Sequence, residues 1–225
     1  MNRGAILAPA LLILAACQQP ASAAAGEKAV LAPDATRTAN EAAGLKVAVF
    51  AGGCYWGVEG VFSHVKGVTS AVSGFHGGAQ AASYEQVSAG RTAHAEAVRV
   101  TYDPRQVRYD QLLRIFFSVV ADPTTLNRQG PDTGMQYRSA LVPLSTEQRA
   151  VAEAYLAQLG KARLWSAPIV TRIEPYRRFY PAEAYHQDFM AKNPRHPYIL
   201  AWDVAKVASL KRLFPAHYRD GFTRG

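Results

Sequence analysis

Apolar residues recur along the chain at two spacings, one typical of strands and one typical of helices. Alternation is cleanest from Ala95 to Tyr102, where Ala95, Ala97 and Arg99 fall opposite Glu96, Val98 and Val100. Four other segments also read as strands: Lys46 to Ala51, Gly67 to Gly77, Ser139 to Pro143 and Pro168 to Ile173. Helical spacing predicts five helices: Cys54 to Ser63, Asp110 to Val120, Thr146 to Leu159, Glu183 to Lys192 and Asp203 to Leu213. Because strands and helices interleave without strict βαβ order, the pattern predicts an α+β fold.

The amino terminus carries a different pattern, an uninterrupted apolar run from Ala5 to Cys17. A helix over this run would reach about 20 Å, which is short of the ~30 Å hydrocarbon core of a bilayer. Residues 1–17 are therefore predicted to be a signal peptide, and Leu14-Ala15-Ala16-Cys17 resembles a bacterial lipobox with Cys17 as the lipidated residue. Cleavage after the Ala21-Ser22-Ala23 triplet is the alternative, and it would discard Cys17.

With either cleavage site, we expect the mature protein to be exported to the cell envelope or periplasm. Gln18 after the cysteine resembles the signal for delivery to the outer membrane, where we expect a lipid anchor. Residues 18–44 contain ten Ala and no aromatic residue, which predicts a disordered tether. Residues 45–214 are predicted to form one domain, followed by a basic tail over residues 215–225.

Composition narrows the classes of function. The 225 residues are 49% hydrophobic and 19% charged, so a disordered protein is excluded. The net charge is +8, and most of the excess lies between Lys161 and Gly225, which contain 12 basic and 5 acidic residues. We interpret these basic residues as a face exposed to solvent, and we expect no nucleic-acid partner. Two cysteines cannot build a zinc cluster or a disulfide framework. The six His residues show no ligand spacing and no glycine-rich phosphate loop is present, so no metal and no bound cofactor are expected.

The candidate chemistry lies at Cys54, in the segment Gly52-Gly53-Cys54-Tyr55-Trp56-Gly57. The glycines permit a tight turn between a strand and a helix. A thiol at a helix amino terminus faces free N–H groups and the positive end of the helix dipole, which predicts a lowered thiol pKa and a reactive thiolate. An inert buried cysteine is the alternative.

Gly53 to Glu59 resembles the signature of the A-type peptide methionine sulfoxide reductases, in which GCFWG is usual; Tyr55 replaces the Phe. Further family motifs follow in order: Gly74-Phe75-His76-Gly77-Gly78, Tyr84-Glu85-Gln86-Val87, His94-Ala95-Glu96-Ala97-Val98, Asp122-Pro123-Thr124, Asn127-Arg128-Gln129-Gly130, Asp132 to Ser139, Ala182 to Gln187 and Asn193-Pro194. The similarity runs from about Val47 to Pro197. It implies a two-layer α+β sandwich with a mixed sheet and flanking helices, and an enzyme that reduces the S epimer of methionine sulfoxide, free or in oxidised proteins.

The resemblance also implies which residues act on the sulfoxide. Cys54 would attack the sulfur as thiolate, and Glu96 would donate a proton to the oxygen, which requires a raised carboxyl pKa in a poorly solvated pocket. Tyr84 and Tyr137 would donate hydrogen bonds to that oxygen, in the manner of an oxyanion hole.

Substrate binding is implied at three further positions. Tyr55 and Trp56 would wall an apolar slot for the S-methyl group, and Asp132 would help to fix the substrate and its water network. His186 is interpreted as a hydrogen-bonded structural histidine, and nothing requires His94 to take part in the chemistry.

Recycling of the enzyme is expected to depart from many relatives, which carry a second cysteine downstream. This chain has none after Cys54, and Cys17 would be lipidated or removed. The sequence therefore predicts a one-cysteine cycle, in which an external thiol, such as an exported thioredoxin-like protein or a small thiol, reduces the Cys54 sulfenic acid. We also expect the protein to be a monomer. A thiol peroxidase and a non-catalytic envelope lipoprotein are the rival classes.

Overall fold

The computed structural model describes residues 29–225. The predicted signal peptide with Cys17, and the first part of the predicted tether, lie outside the described residues. Within residues 29–225, no helix is both long enough and apolar enough to cross a membrane.

A six-stranded mixed sheet forms the centre of the fold. Its strands lie in the spatial order β7-β6-β1-β3-β2-β8, and all neighbours are antiparallel except β6 and β7, which are parallel. The strand bounds are β1 Lys46–Gly52, β2 Val68–His76, β3 Ala95–Tyr102, β6 Ser139–Val142, β7 Arg172–Ile173 and β8 Phe179–Pro181. Arg128–Gln129 (β4) and Asp132–Thr133 (β5) form a separate small hairpin.

Six α-helices accompany the sheet in the described part of the chain: α1 Tyr55–Ser63, α2 Tyr84–Ser88, α3 Tyr109–Ile115, α4 Thr146–Ala162, α5 Phe189–Lys192 and α6 Val204–Leu213. Two π-helical turns adjoin them, Phe116–Val120 directly after α3 and Ile199–Asp203 directly before α6. The observed architecture confirms the predicted α+β class with a mixed sheet and flanking helices.

The alternation predicted for β3 separates two cores. Val98 and Val100 lie in the large core, which also contains the aromatic and aliphatic residues of the helices. Ala95 and Ala97 point to the opposite face, where a smaller cluster packs. Glu96 shares the large-core face with Val98 and Val100 because side chains two residues apart on a strand point the same way. The strand therefore aims one carboxyl group into the layer that holds the helices.

Two predicted elements are shorter than expected. The helix predicted from Glu183 to Lys192 covers only Phe189–Lys192, because Asp188 has a φ of 55°, a left-handed conformation that interrupts a helix. The strand predicted from Pro168 to Ile173 covers only Arg172–Ile173, the two residues that pair with β6.

The prediction of a disordered tether does not hold for residues 29–44, because these residues pack against the domain. Ala32 is fully buried, and its N–H donates to Ser118 Oγ at 3.0 Å. The N–H of Ala39 donates to Asp110 Oδ1 at 2.8 Å. The alanine-rich composition suggested disorder, but small side chains let this segment lie close to the helices and exchange hydrogen bonds with them.

The last residues, 215–225, also lie on the domain. The N–H of Lys66 donates to the carbonyl of His217 at 2.7 Å, and the N–H of Thr223 donates to the carbonyl of Ser63 at 2.9 Å. The predicted basic tail is thus held against the carboxyl end of α1.

Candidate active site

A tight turn connects β1 to α1 and presents Cys54 immediately before the helix. Gly53 has a φ of 90°, and a Cβ there would lie only 2.5 Å from Cβ of Gln129, so a residue with a side chain would be strained and crowded. Cys54 occupies the position before the first helical residue and is partly exposed. The glycine turn predicted from the sequence therefore places the thiol at the amino terminus of α1.

Glu96 reaches the same point from the neighbouring strand. The antiparallel register pairs Phe50 of β1 with Val98 of β3, so the two strands bring Glu96 toward the end of β1. The carboxyl group accepts a hydrogen bond from the N–H of Tyr55, N to Oε2 3.0 Å. Cys54 and Glu96 therefore meet at the start of α1.

The Glu96 carboxyl is protonated near neutral pH. The side chain is 1% exposed, and burial is the main reason that its pKa rises to about 8. The Tyr55 N–H lowers this pKa, and the charge of Asp132 raises it. The predicted upward shift of the Glu96 pKa is confirmed.

The charge state of Cys54 differs from the expectation. Its thiol pKa is raised well above the usual value, first by burial and then by the charges of Glu96 and Asp203, with a smaller contribution from Asp132. The N–H of Trp56 acts on the thiol in the predicted direction and lowers the pKa, but it does not outweigh burial. In the resting site the sulfur is a thiol.

Tyr84 and Tyr137 approach from two short helical turns. Tyr84 begins α2, and its N–H donates to Glu183 Oε1 at 3.0 Å. Tyr137 ends the 3₁₀ turn Met135–Tyr137. Burial and then the charge of Glu96 raise the pKa of Tyr84 to about 12, and the same two causes raise the pKa of Tyr137. Both phenols are therefore protonated donors beside the Glu96 carboxyl.

Asp132 comes to the site on the β4–β5 hairpin. The hydroxyl of Tyr198 donates a hydrogen bond to its Oδ2. Gln129, on the same hairpin, packs against the Gly53 turn. The hairpin thus connects the predicted substrate-fixing residue to the turn that carries the thiol.

Trp56 forms an aromatic wall next to the thiol. Its ring stacks on Phe189 with centroids 3.7 Å apart, and Tyr198 packs against it edge-on at 5.8 Å. Its Nε1 donates to Nδ1 of His186 at 3.2 Å, which fits the structural role expected for that histidine. Tyr55 is 1% exposed and packs against the His186 ring, so its contact with an S-methyl group stays a prediction.

His94 lies outside this group of side chains. Its Nδ1 accepts from the N–H of Gly78 at 3.1 Å, and its Nε2 lies 2.7 Å from the carbonyl of Gln80. Among residues 29–225, no group of three or more His, Cys, Asp or Glu side chains could hold a metal ion.

Comparison with known proteins decides the family. The family model described as peptide methionine sulfoxide reductase matches residues 46–216. The chain belongs to the peptide methionine sulfoxide reductase family. It is 57% identical over 180 residues to peptide methionine sulfoxide reductase MsrA 2 of Mesorhizobium japonicum, covering 80% of this chain and 92% of the relative. The MsrA 2 of Synechocystis sp. is 47% identical over 188 residues, covering 83% and 86%.

Solved structures of peptide methionine sulfoxide reductases share the fold. Methionine sulfoxide reductase A of Corynebacterium diphtheriae matches with a TM-score of 0.59 and 36% identity, covering 68% of this chain and 77% of that one. Reduced Mxr1 from Saccharomyces cerevisiae matches with a TM-score of 0.57 and 33% identity, covering 72% and 92%. Family membership confirms the predicted enzyme class: the protein is an oxidoreductase that reduces methionine sulfoxide with electrons from thiols.

Sequence reasoning missed two side chains at this reductase site and one buried acid near it. Tyr198 binds Asp132, and Asp203 acts on Cys54 through its charge, yet both lie beyond the motifs that carried the resemblance. Glu59, one helical turn from the site on α1, is fully buried, and burial raises its pKa to about 7. The Gly-Cys-Tyr-Trp-Gly-Val-Glu motif contains Glu59, so an acidic residue on an otherwise apolar helix face was the available signal.

Proposed function

We propose that the enzyme reduces the S epimer of methionine sulfoxide, free or within oxidised proteins, through a sulfenic acid on Cys54. The observation that carries this proposal is the placement of a protonated carboxyl at the thiol: Glu96 is held by the N–H of the residue that follows Cys54. A nucleophile for sulfur and a proton donor for oxygen are the two groups that cleavage of an S–O bond requires.

The first half-reaction needs no group from outside the site. The Cys54 sulfur attacks the sulfoxide sulfur while Glu96 transfers its proton to the oxygen. The S–O bond of the substrate breaks, the oxygen moves to Cys54 as S–OH, and the thioether leaves. The proton lost by the thiol restores the Glu96 carboxyl, so one thiol and one sulfoxide give one sulfenic acid and one thioether. Tyr84 and Tyr137, both protonated, are proposed to donate hydrogen bonds to the oxygen.

Trp56 is proposed to face the S-methyl group. Its ring is held by two contacts: one face stacks on Phe189, and Nε1 donates a hydrogen bond to His186. A rigid apolar wall beside a polar pocket distinguishes methyl from oxygen, which supports selection of one epimer. Asp132, held by Tyr198, is proposed to bind the polar end of the substrate.

External thiols are proposed to complete the cycle. No cysteine follows Cys54 in the sequence, and Cys17, which precedes it, is expected to be lipidated or removed, so the proposed cycle forms no internal disulfide. A first external thiol attacks the sulfenic acid and releases water, and a second releases the Cys54 thiol and leaves as a disulfide. A thioredoxin-like protein with two cysteines would supply both equivalents.

A single-turnover experiment tests this cycle. Enzyme mixed with excess racemic methionine sulfoxide and no thiol is expected to produce one methionine per enzyme, consume only the S epimer, and leave a dimedone-reactive sulfenic acid on Cys54 by mass spectrometry. The stoichiometry follows because the oxidised sulfur cannot attack again until it is reduced. Added dithiothreitol should restore continuous turnover. Several turnovers without thiol would contradict the one-cysteine cycle. Hydrogen peroxide reduced faster than the sulfoxide would favour the thiol peroxidase instead.

Location in the cell envelope is proposed from the lipobox-like segment ending at Cys17. The anchor would hold a monomeric reductase at the outer membrane, among the exported proteins of the envelope. In cells, the Cys17→Ala variant is expected to lose acylation and to move from the membrane fraction to the soluble or precursor fraction, as seen by metabolic labelling with palmitate. Absence of labelling in the parent as well as in the variant would instead favour cleavage after Ala23, which removes Cys17. The Cys54→Ala variant is the matched control and should stay labelled.

A further inference from the structure

One buried acid lies against the helix that carries the thiol and has no part in the reaction described above. Asp203, the last residue of the Ile199–Asp203 turn, is 1% exposed. Its Oδ1 occupies the space that a Cβ on Gly57 would fill, so any larger residue at 57 would overlap it. The glycine that closes the Gly-Cys-Tyr-Trp-Gly signature therefore leaves room for a carboxylate at the first turn of α1.

This placement puts Asp203 and Cys54 at the same helix amino terminus, which would stabilise a negative charge on either residue. Free N–H groups and the dipole at the amino terminus of α1 stabilise negative charge there. The same field favours the ionised form of the Asp203 carboxyl, and the charge of that carboxylate opposes a second anion nearby. The charge of Asp203 acts on Cys54 in the direction that this geometry requires.

We propose that Asp203 is a positioning residue whose carboxylate, held against Gly57, keeps the Cys54 sulfur protonated while the site is empty. The inference rests on the proposed function in one respect, that Cys54 is the attacking group. Only a thiolate reacts rapidly with peroxide. Asp203 thus protects the resting enzyme from the oxidants among which it works, and reactivity appears when a sulfoxide takes up the proton of Glu96.

Other groups face the thiol, and they are less suited to this role at neutral pH. Glu96 is mostly uncharged below its pKa of about 8, so its repulsion is small under those conditions. Asp132 accepts the hydroxyl of Tyr198 and acts on the thiol less than Asp203 does. Further titratable or charged neighbours among the described residues are Tyr55, Tyr84, Tyr137, Tyr198 and Lys206, whose Nζ donates to the carbonyl of Val120.

Alkylation measured against pH tests the role of Asp203. Iodoacetamide labelling of the peptide that contains residue 54 is followed by mass spectrometry from pH 6 to 10.5. In Asp203→Asn the midpoint should move to lower pH, with labelling about 3- to 10-fold faster at pH 7.5, since one pKa unit is tenfold in thiolate. Oxidation of Cys54 by hydrogen peroxide, without sulfoxide, should accelerate by the same factor. Asp103→Asn, at the far end of β3, is the matched control and should retain the parent profile.

A second variant keeps the test decisive if Asp203→Asn does not fold. Gly57→Ala leaves the charge in place but displaces the carboxylate, so it should shift the midpoint in the same direction by a smaller amount. A midpoint unchanged in the folded variants, or moved equally by Asp103→Asn, would overturn the proposal. Alkylation requires no sulfoxide reduction, so its result stands apart from failure of the proposed function, which the single-turnover experiment detects.

Discussion

Replacement of Cys54 with serine is expected to reduce methionine sulfoxide reduction to the rate without enzyme, a loss of more than about 10⁴-fold. The hydroxyl of serine does not ionise in this range, and Glu96 beside it is protonated near neutral pH, so it does not act as a base on the resting hydroxyl. The sulfur at residue 54 must also hold the oxygen as a sulfenic acid, which an alcohol cannot do. The measurement is thioether formation from a purified S sulfoxide with dithiothreitol in excess.

The chain supplies its own control for this experiment, since Cys17 is its one other cysteine. Cys17→Ser should retain full activity on a soluble substrate, because residues 1–28 precede the part of the chain that forms the site. The thermal unfolding curve of Cys54→Ser should match that of the parent, which shows that the loss is chemical. Residual turnover above a few per cent in Cys54→Ser would move the reaction away from residue 54.

The pairing of Cys54 with Glu96 was implied by the family resemblance, and two local features that it needs could be predicted from the sequence itself. Alternation along β3 fixes which face Glu96 occupies, and two glycines before Cys54 fix the turn. Neither inference needs a contact between distant parts of the chain. Only the resemblance to the family implied that the two segments meet in one site, and the hydrogen bond from the Tyr55 N–H to Glu96 shows this contact in the structure.

The charge state of the thiol could not be predicted in the same way. A helix dipole can be inferred from the position of Cys54 before α1, and it acts in the predicted direction. Burial of the sulfur and the carboxylate of Asp203 act in the opposite direction, and the position of Asp203 depends on packing of the Ile199–Asp203 turn against α1. No spacing rule relates residue 203 to residue 54, so the rise of the Cys54 pKa could not be predicted from the sequence.

Segments without a strong pattern were the other source of error. Residues 29–44 gave no periodic signal, yet their backbone N–H groups find acceptors such as Ser118 and Asp110. The left-handed conformation of Asp188 likewise depends on its surroundings, among them the N–H of Gly225, which donates to its Oδ1 at 3.1 Å. Tertiary hydrogen bonds determined both structures, and composition does not report them.

Glu96→Gln is expected to slow the chemical step by about 10²-fold or more, equivalent to roughly 2.7 kcal/mol of transition-state stabilisation. The amide keeps the shape of the carboxylic acid but has no proton acidic enough to transfer to the oxygen. Substrate binding should change little, because the Tyr55 N–H can still donate to the amide oxygen.

The pH profile identifies proton donation as the cause. A carboxyl with a raised pKa is an acid below that pKa and loses its proton above it, so the parent rate attributable to Glu96 should fall as pH rises through about 8. Rapid-quench single turnovers from pH 6 to 9.5 should show this fall in the parent and its absence in Glu96→Gln.

Glu59→Gln makes the same change in a second buried carboxyl of raised pKa, and it should retain the parent profile. A parent-like descent in Glu96→Gln would assign the ionisation to another group and leave the sulfoxide oxygen without its proton donor.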